Sequence, residues 1–388
     1  LGPRGPNPRV STKAGQFHLV TEITKRIPEG RLADVVVLDP ADEERPVGLN
    51  VLAGGDRPPE LIADVVLHAF HSLYKDAWGP RTQDILHASL LTLAGRPEMS
   101  LCAVPVLLSN PRFRRRMVGE VRDEIALRPF WAWYDGLGEA ERQQVIAPVM
   151  NKLRAFLLRP RMRAVLGQSS PRFDLHRVFT ERKVVLASLA KGILGPEAAA
   201  LLGALLIGEL WQATLGRAAL PAEQRAPAML YIDEFQDYLY LPTDLADVLA
   251  QARGLGLALT LAHQAAAQLP RPMLSAVLAN ARSRVCFQLG AEDARLIAAG
   301  TSELDAQDLR GLGRYEVYAS LVSGGSVTPY VSARSLPPQP PTSDPAEVRR
   351  RSRERYGVPL AAVEAEVARL IAGDADDGEA PLGQRRRT

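Results

Sequence analysis

Two adjacent carboxylates, Asp233 and Glu234, follow a short apolar stretch in the segment MLYIDEFQ, residues 229–236. The apolar stretch predicts a buried strand, and ligands of open α/β sheets bind outside the carboxyl ends of such strands. Two charges at that position are costly unless they hold a metal ion or take part in acid–base chemistry. We therefore expect Asp233 to hold Mg²⁺, directly or through water, and Glu234 to polarise the water that attacks a nucleotide phosphate. The alternative is a strand that simply runs into an exposed turn.

A second polar pair, His263 and Gln264, ends the apolar stretch LALTLA, residues 257–262, one strand–helix unit later. Gln264 both donates and accepts hydrogen bonds without carrying charge, so it could distinguish ATP from ADP by sensing the γ-phosphate. For His263 we favour a capping or core role. If the two polar pairs belong to one site, strands 228–233 and 257–262 should be neighbours in one sheet.

Arginines form two further groups. Arg253 precedes the second strand, and with Arg282 and Arg284 it forms a small set near one sheet edge. In ring-shaped motors an arginine from a neighbouring subunit stabilises the transferred phosphoryl group, and one of these three could take that role. The run RFRRR carries the second group, whose members are Arg112, Arg114, Arg115 and Arg116. We expect this cluster to contact nucleic-acid phosphates; surface arginines and a solvated helix face are the plainer interpretations of the two groups.

The order of predicted elements arranges these residues in an α/β protein. Apolar runs predict strands at 34–39, 183–189, 228–233, 257–262, 284–289, 314–322 and 328–332. Residues 60–166 show helical spacing instead. Strands that alternate with helices indicate a mainly parallel, doubly wound sheet. The predicted fold is a mainly parallel sheet core interrupted by an inserted all-α domain.

The same pattern divides the chain into segments. We predict an irregular linker or truncated edge at 1–16, the first part of the core at 17–58, the all-α domain at 59–175, the remaining core at 176–335, and a Pro-rich linker with a basic tail at 336–388. The tail is expected to be joined flexibly, because Pro-rich segments act as extended spacers.

The composition is that of a soluble globular protein, with 46% hydrophobic and 23% charged residues among 388. No apolar run reaches the ~18 residues of a membrane span; the longest, 198–206, continues into Glu209, so we expect no transmembrane segment in this chain. Cys102 and Cys286 have no CxxC spacing, which argues against zinc and for free thiols in a reducing cytoplasm. The net charge of +3 is weak evidence for nucleic-acid binding.

Four stretches resemble the TraG-type conjugative coupling ATPases of type IV secretion, in the HerA/FtsK superfamily. They are ADVVVLDPADEERPVGLNVL (33–52), WGPRTQDILHASLL (78–91), LYIDEFQ (230–236) and ARGLGLALTLAHQ (252–264). Their order and spacing match as well, and the resemblance extends over residues 20–335. It implies a RecA-like core interrupted by an all-α domain.

The resemblance also implies ATP- and Mg²⁺-dependent movement of DNA by a homo-oligomer, a hexameric ring. It puts Asp233 and Glu234 at the Walker B positions, Gln264 at the sensor position and Arg253 at the position of the trans-acting arginine. The implied partners are DNA and relaxosome or secretion-channel proteins. The implied location is the cytoplasm, at the inner face of the cell membrane.

The sequence departs from this family at the phosphate-binding loop. The pattern G-x-x-x-x-G-K-[ST], whose amides and lysine hold the phosphates, does not occur in it. Ser11, Thr12 and Lys13 provide the residue types in the wrong order. We favour a chain whose Walker A segment is lost or encoded separately over a degenerate member that does not hydrolyse ATP. Such a chain should bind ATP poorly on its own and should expose apolar surface.

Two alternative functions share this sequence pattern. One is a catalytically inactive homologue that acts as a binding or scaffold subunit, which the missing phosphate-binding loop favours. The other is a HerA-like DNA-processing motor, which would use the same site residues.

Overall fold

The computed structural model describes residues 15–55, 57–239 and 245–372. Residues 1–14 of the predicted linker and residues 373–388 of the predicted tail lie outside this range. The described chain begins with helix α1 (Gly15–Thr24) and strand β1 (Val35–Leu38), all four residues of which are buried.

A helical region separates β1 from the next strand. Its helices are α2 (Pro59–Leu73), α3 (Pro80–Leu93), α4 (Ala103–Ser109), α5 (Pro111–Gly119), α6 (Leu127–Gly136), α7 (Glu139–Leu157) and α8 (Pro160–Leu166). Four of them start with proline, which has no N–H and so loses no hydrogen bond in the first turn. The side chain of Asn110 caps α5 by accepting hydrogen bonds from the amides of Arg112 and Phe113, at 2.9 and 3.2 Å.

The chain then returns to alternating strands and helices. The first of these elements are β2 (Val184–Ala187), α9 (Lys191–Leu194), α10 (Pro196–Gly216), β3 (Ala228–Asp233), α11 (Leu245–Gly254), β4 (Leu257–Ala262) and α12 (Arg271–Asn280). The later ones are β5 (Arg284–Cys286), α13 (Ala291–Ala298), α14 (Ala306–Arg310), β6 (Glu316–Ser320), β7 (Val322–Ser323), β8 (Ser326–Val327), β9 (Val331–Arg334), α15 (Pro345–Tyr356) and α16 (Leu360–Ala372). Buried side chains of the helical region and of this region form one continuous core, which contains Val36, Trp131 and Ile232.

The strands pair in small sheets. β1 pairs with β2 and β3 with β4, both in parallel, whereas β5, β6 and β9 form an antiparallel sheet. The parallel pairing predicted for the site strands is therefore present, whereas the last three strands pair antiparallel. The reason is local: β6 and β9 are joined by the β7–β8 hairpin, where Gly324 and Gly325 have φ of 55° and 84°. A connection this short can only join antiparallel strands.

Helix α10 is the central core helix. Within the described residues, Pro196–Ala219 is long and apolar enough to cross a membrane, yet 78% of its apolar window is buried inside the protein. Gly208 allows close contact with α2, because a Cβ there would lie 2.7 Å from Val65. The length and apolar character of this helix are explained by packing on both sides within the fold.

The predicted flexible tail is instead partly folded onto the core, which corrects that prediction. In α15, Ser352 Oγ accepts a hydrogen bond from the free-edge amide of Val37 at 2.8 Å. Arg349 pairs with Asp39, with 2.8 Å between Nη1 and Oδ2, and Val348 is fully buried. Helix α15 thus covers the open edge of β1, as sheet edges generally require.

Candidate active site

The two site strands are direct neighbours. β3 and β4 pair in parallel over six residues, and the register sets Asp233 opposite Ala262. The residues that follow, Glu234 on one strand and His263 and Gln264 on the other, therefore leave the sheet at the same edge. This confirms the prediction that the two polar pairs lie together.

The carboxylate of Glu234 is held by two amide groups. Gln264 Nε2 donates to Oε1 of Glu234, and Gln236 Nε2 donates to Oε2 at 2.7 Å. Each carboxylate oxygen accepts one hydrogen bond here and keeps a second acceptor position for another donor. The group is thus fixed in orientation and still able to accept a proton or a hydrogen bond from water.

The backbone of Glu234 is itself unusual. Its φ and ψ of 50° and 48° are left-handed, a conformation that costs a non-glycine residue about 1–3 kcal/mol. A turn of 3₁₀ helix, Phe235–Asp237, follows immediately. The sharp turn directs the Glu234 side chain toward Gln264 rather than onward along the strand. The strained backbone at Glu234 is thus part of what brings the two side chains together.

Gln236 was missed as a site residue by sequence reasoning. It stands two residues after Glu234 in the same segment, and a Gln beside a candidate base is the available signal. Its side chain donates a hydrogen bond to Oε2 of Glu234, the carboxylate oxygen that Gln264 does not contact.

Asp233 lies on the solvent-exposed face of β3. Partial burial raises its pKa above the ordinary value, and the neighbouring charge of Glu234 raises it further. No basic side chain in the described part of the chain forms an ion pair with it. A carboxylate in this condition gains from a bound cation, and Mg²⁺ is bound in many sites by one or two carboxylates together with phosphates and water. Asp233 therefore fits the role of a magnesium ligand, although the described residues contain no cluster of three metal-ligating side chains.

The site lies in a recognisable fold. No family model and no curated protein matches the sequence. The plasmid coupling protein TrwB matches in structure: its complexes with the GTP analogue GDPNP and with ADP and Mg²⁺ give TM-scores of 0.56 and 0.55 at 14% and 15% identity, over 84% of this chain and 79% of theirs. The bacterial conjugative coupling protein TrwBdeltaN70, in complex with sulphate, gives 0.54 at 15% identity over 87% and 85%.

The chain has the fold of the conjugative coupling protein TrwB. This match confirms the predicted fold class, a RecA-like core with an all-α domain. The structural match establishes the coupling-protein fold, and the low sequence identity leaves the chemistry to be argued from the side chains.

In this coupling-protein fold, Arg253 is exposed at the end of α11, just before β4 begins. It is therefore separated from Gln264 by the length of a six-residue strand, roughly 20 Å. The other predicted arginines serve local structure: Arg284 Nε donates to the carbonyl oxygen of Ala281 at 3.2 Å, and Arg282 Nη2 to that of Gly325 at 2.9 Å. The structure brings none of the three to Glu234 within one chain.

His263 packs edge-on against Phe235, with 5.6 Å between ring centres. Partial burial lowers its pKa, while Asp293 and Glu234 oppose the shift. The His263 side chain is nonetheless exposed, so it packs against the turn after Glu234 at the surface and is not a core residue.

The predicted phosphate-contacting cluster needs one correction. Arg114 is only 1% exposed, its Nη2 pairs with Asp135 Oδ1 at 2.7 Å, and its Nη1 donates to the carbonyl oxygen of Leu107 at 3.0 Å. It is a core residue of the helical region and is not available to a nucleic acid. The exposed members of the cluster are Arg112, Arg115 and Arg116.

Proposed function

We propose that the chain is the catalytic part of a conjugative coupling ATPase, which uses ATP hydrolysis to move DNA in conjugation or type IV secretion. The observation that carries the proposal is the doubly held carboxylate of Glu234 at the carboxyl edge of paired parallel strands. The coupling-protein fold supports it, because the solved TrwB complexes hold GDPNP or ADP and Mg²⁺.

The roles of the side chains follow from their chemistry. Asp233 would hold Mg²⁺, which neutralises charge on the transferred phosphate when bound. Glu234 orients a water molecule and accepts its proton, because both oxygens keep a free acceptor position. Gln264 contacts Glu234 and can also donate to a phosphate, so it links the state of the nucleotide to the position of the base.

An open sheet face supports completion of the site by a further segment. Met229 and Tyr231 are 71% and 69% exposed and alternate along β3 with Asp233, so all three lie on one face. This apolar exposure lies beside the candidate magnesium ligand, which supports a site that another segment completes. We propose that a strand–loop–helix segment with a Walker A loop covers this face in the working enzyme.

The remaining features of the coupling-protein model are part of the same proposal. The working form would be a homo-oligomeric ring, hexameric by the resemblance, with Arg253 reaching the nucleotide of the next subunit. DNA would be held by its phosphates, with Arg112, Arg115 and Arg116 contributing from the helical region. Relaxosome or secretion-channel proteins would dock at the inner face of the cell membrane.

Binding of a fluorescent ATP analogue tests the proposal. The chain would be measured alone and joined to a strand–loop–helix unit with the G-x-x-x-x-G-K-[ST] pattern, each with and without Mg²⁺. We expect Mg²⁺-dependent binding in the joined form and its loss in Asp233→Asn. Asp247→Asn, an exposed change on α11, is the matched control. Absence of Mg²⁺-dependent binding in the joined form would favour a nucleotide-independent scaffold subunit instead.

A further inference from the structure

Lys191 links the end of β2 to the turn that follows Glu234. It stands at the start of α9, three residues after Ser188, where the chain leaves β2. Its ammonium group forms an ion pair with Asp237, the last residue of the turn after Glu234. The same group lies 5.5 Å from the centre of the Tyr238 ring.

The turn is anchored on its other side by α10. Tyr238 is buried against Gly203, where a Cβ would lie 2.4 Å from the ring. The amide of Asp237 donates to the carbonyl oxygen of Glu234 at 3.0 Å, and that of Tyr238 to Phe235 at 3.1 Å. Lys191 therefore holds a segment whose hydrogen bonds help to fix the backbone of Glu234.

The opposite end of α9 is held by the helical region. Arg159, between α7 and α8, donates through Nη1 to the carbonyl oxygen of Leu194, the last residue of α9. Gly195 has a φ of 81°, and a Cβ there would lie 2.8 Å from Arg159 Nη1. The absence of a side chain at this position is what allows the guanidinium to reach the end of the helix.

We propose that α9 couples the helical region to the catalytic turn, with Lys191 as a positioning residue for Glu234. A single helical turn joins two contacts: Arg159 at its carboxyl end and Asp237 at its amino end. Displacement of the α7–α8 junction then moves Lys191 and with it the turn that follows Glu234. The catalytic meaning of this coupling rests on the function proposed above; the coupling itself does not require nucleotide.

Hydrogen exchange of the amides of Asp237, Tyr238 and Leu239 tests the coupling on the chain as it exists. Lys191→Met removes the ion pair and is expected to accelerate their exchange about tenfold, since local opening sets the rate. Lys191→Arg keeps the positive charge and should restore slow exchange. Lys25→Met is the matched control, because Lys25 has nearly the same exposure as Lys191, 35% against 36%, and pairs locally with Glu22.

The decisive variant is Arg159→Ala, because Arg159 does not contact the turn. We expect exchange at Asp237 and Tyr238 to accelerate in this variant. The control is Arg161→Ala, two residues along the chain from Arg159, which removes a pair with Glu43. This variant should leave exchange at the turn unchanged. The double variant of Arg159 and Lys191 should exchange no faster than Lys191→Met alone, because both act through one path.

Slow exchange at the turn in Arg159→Ala, with slow exchange also retained in β1 as a check of folding, would overturn the coupling. ATP turnover in the joined form is measured separately. If turnover is absent while exchange responds to Arg159, the proposed function fails and the coupling stands. If turnover is present but Lys191→Met leaves both kcat and exchange unchanged, the coupling fails and the proposed function stands.

Discussion

Two parallel strand pairs, β1–β2 and β3–β4, each present an aspartate where an apolar strand ends: Asp39 in the first and Asp233 in the second. Asp39 is 5% exposed, pairs with Arg349 of α15 at 2.8 Å and accepts a hydrogen bond from the amide of Ala41 at 3.1 Å. Asp233 is exposed beside Glu234 and has a raised pKa. An aspartate at the end of a strand is structural when another element supplies its counter-charge, as for Asp39. Where the described residues supply none, as for Asp233, it marks a candidate site.

The largest effect on activity should come from a substitution at the β3–β4 strand pair. Glu234→Gln keeps the shape and both amide contacts possible but cannot accept a proton. Turnover in the joined form should fall by a factor on the order of 10²–10⁴, which is the usual contribution of a general base. Phosphate release is the measurement, with the exposed Glu223→Gln as control. Turnover within threefold of the parent would remove Glu234 from the base role.

Buried and exposed arginines of α5 extend the comparison to the helical region. Arg114→Ala should lower the free energy of unfolding by about 3 kcal/mol, because it removes a buried side chain that pairs with Asp135 and donates to the carbonyl oxygens of Leu107 and Leu108. Arg115→Ala should change it by less than about 0.5 kcal/mol but reduce the salt dependence of DNA binding by up to one phosphate contact. Urea unfolding and DNA titrations at several salt concentrations measure the two effects. Equal destabilisation by both variants would contradict the burial difference.

At the closed strand pair, Asp39→Asn should lower the free energy of unfolding by about 2 kcal/mol. The change removes the charge of the buried Asp39 that pairs with Arg349, and the loss of such a pair costs more than the loss of a surface pair. Urea unfolding monitored by circular dichroism gives the value. Unfolding at the same urea concentration as the parent chain would mean that α15 does not depend on this contact.

The smallest effect, opposite in sign, is expected from Asp233→Asn. Because the pKa of Asp233 is raised, the folded chain binds that proton more tightly than the unfolded chain does. The resulting stability is present at low pH and is lost as pH rises through the folded pKa. At pH 7 the variant should therefore be slightly more stable than the parent, by less than about 0.5 kcal/mol because solvent screens the exposed group.

Thermal unfolding at pH 4 and pH 7, with and without Mg²⁺, checks this last prediction. The gain in Asp233→Asn should appear at pH 7 and shrink toward acid. A loss of stability at pH 7 would show that Asp233 has a structural partner comparable to that of Asp39.

The paired site strands could be predicted because period and position alone determine their geometry. Carboxyl ends of adjacent parallel strands meet at one edge, so Glu234 and Gln264 had to approach each other once both strands were recognised. Gln236 and Lys191 could not be predicted in the same way. Their contacts depend on the left-handed turn at Glu234 and on the path of α9, which no periodicity encodes.

The errors have physical causes that the sequence does contain. In the run RFRRR, Arg114 lies three residues before the buried Met117, which puts both on one helix face. Helix α15 contains five arginines. Its buried residues Val348, Ser352 and Tyr356 recur every four positions and form one inward-facing side, which the arginine content made easy to overlook. In both segments the many arginines suggested an exposed segment, whereas the helical spacing of the other residues indicated which face is buried.

The contact between Ser352 and Val37 also affects folding during translation. The two residues are 315 positions apart, and translation at about 5–20 residues per second therefore takes roughly 15–60 seconds to cover that distance. Throughout this interval the edge of β1 has no permanent cover, and an uncovered strand edge invites pairing with other chains. Newly synthesised chains would thus be most dependent on chaperones late in translation, and truncation before α15 would convert a brief exposure during biosynthesis into a permanent one.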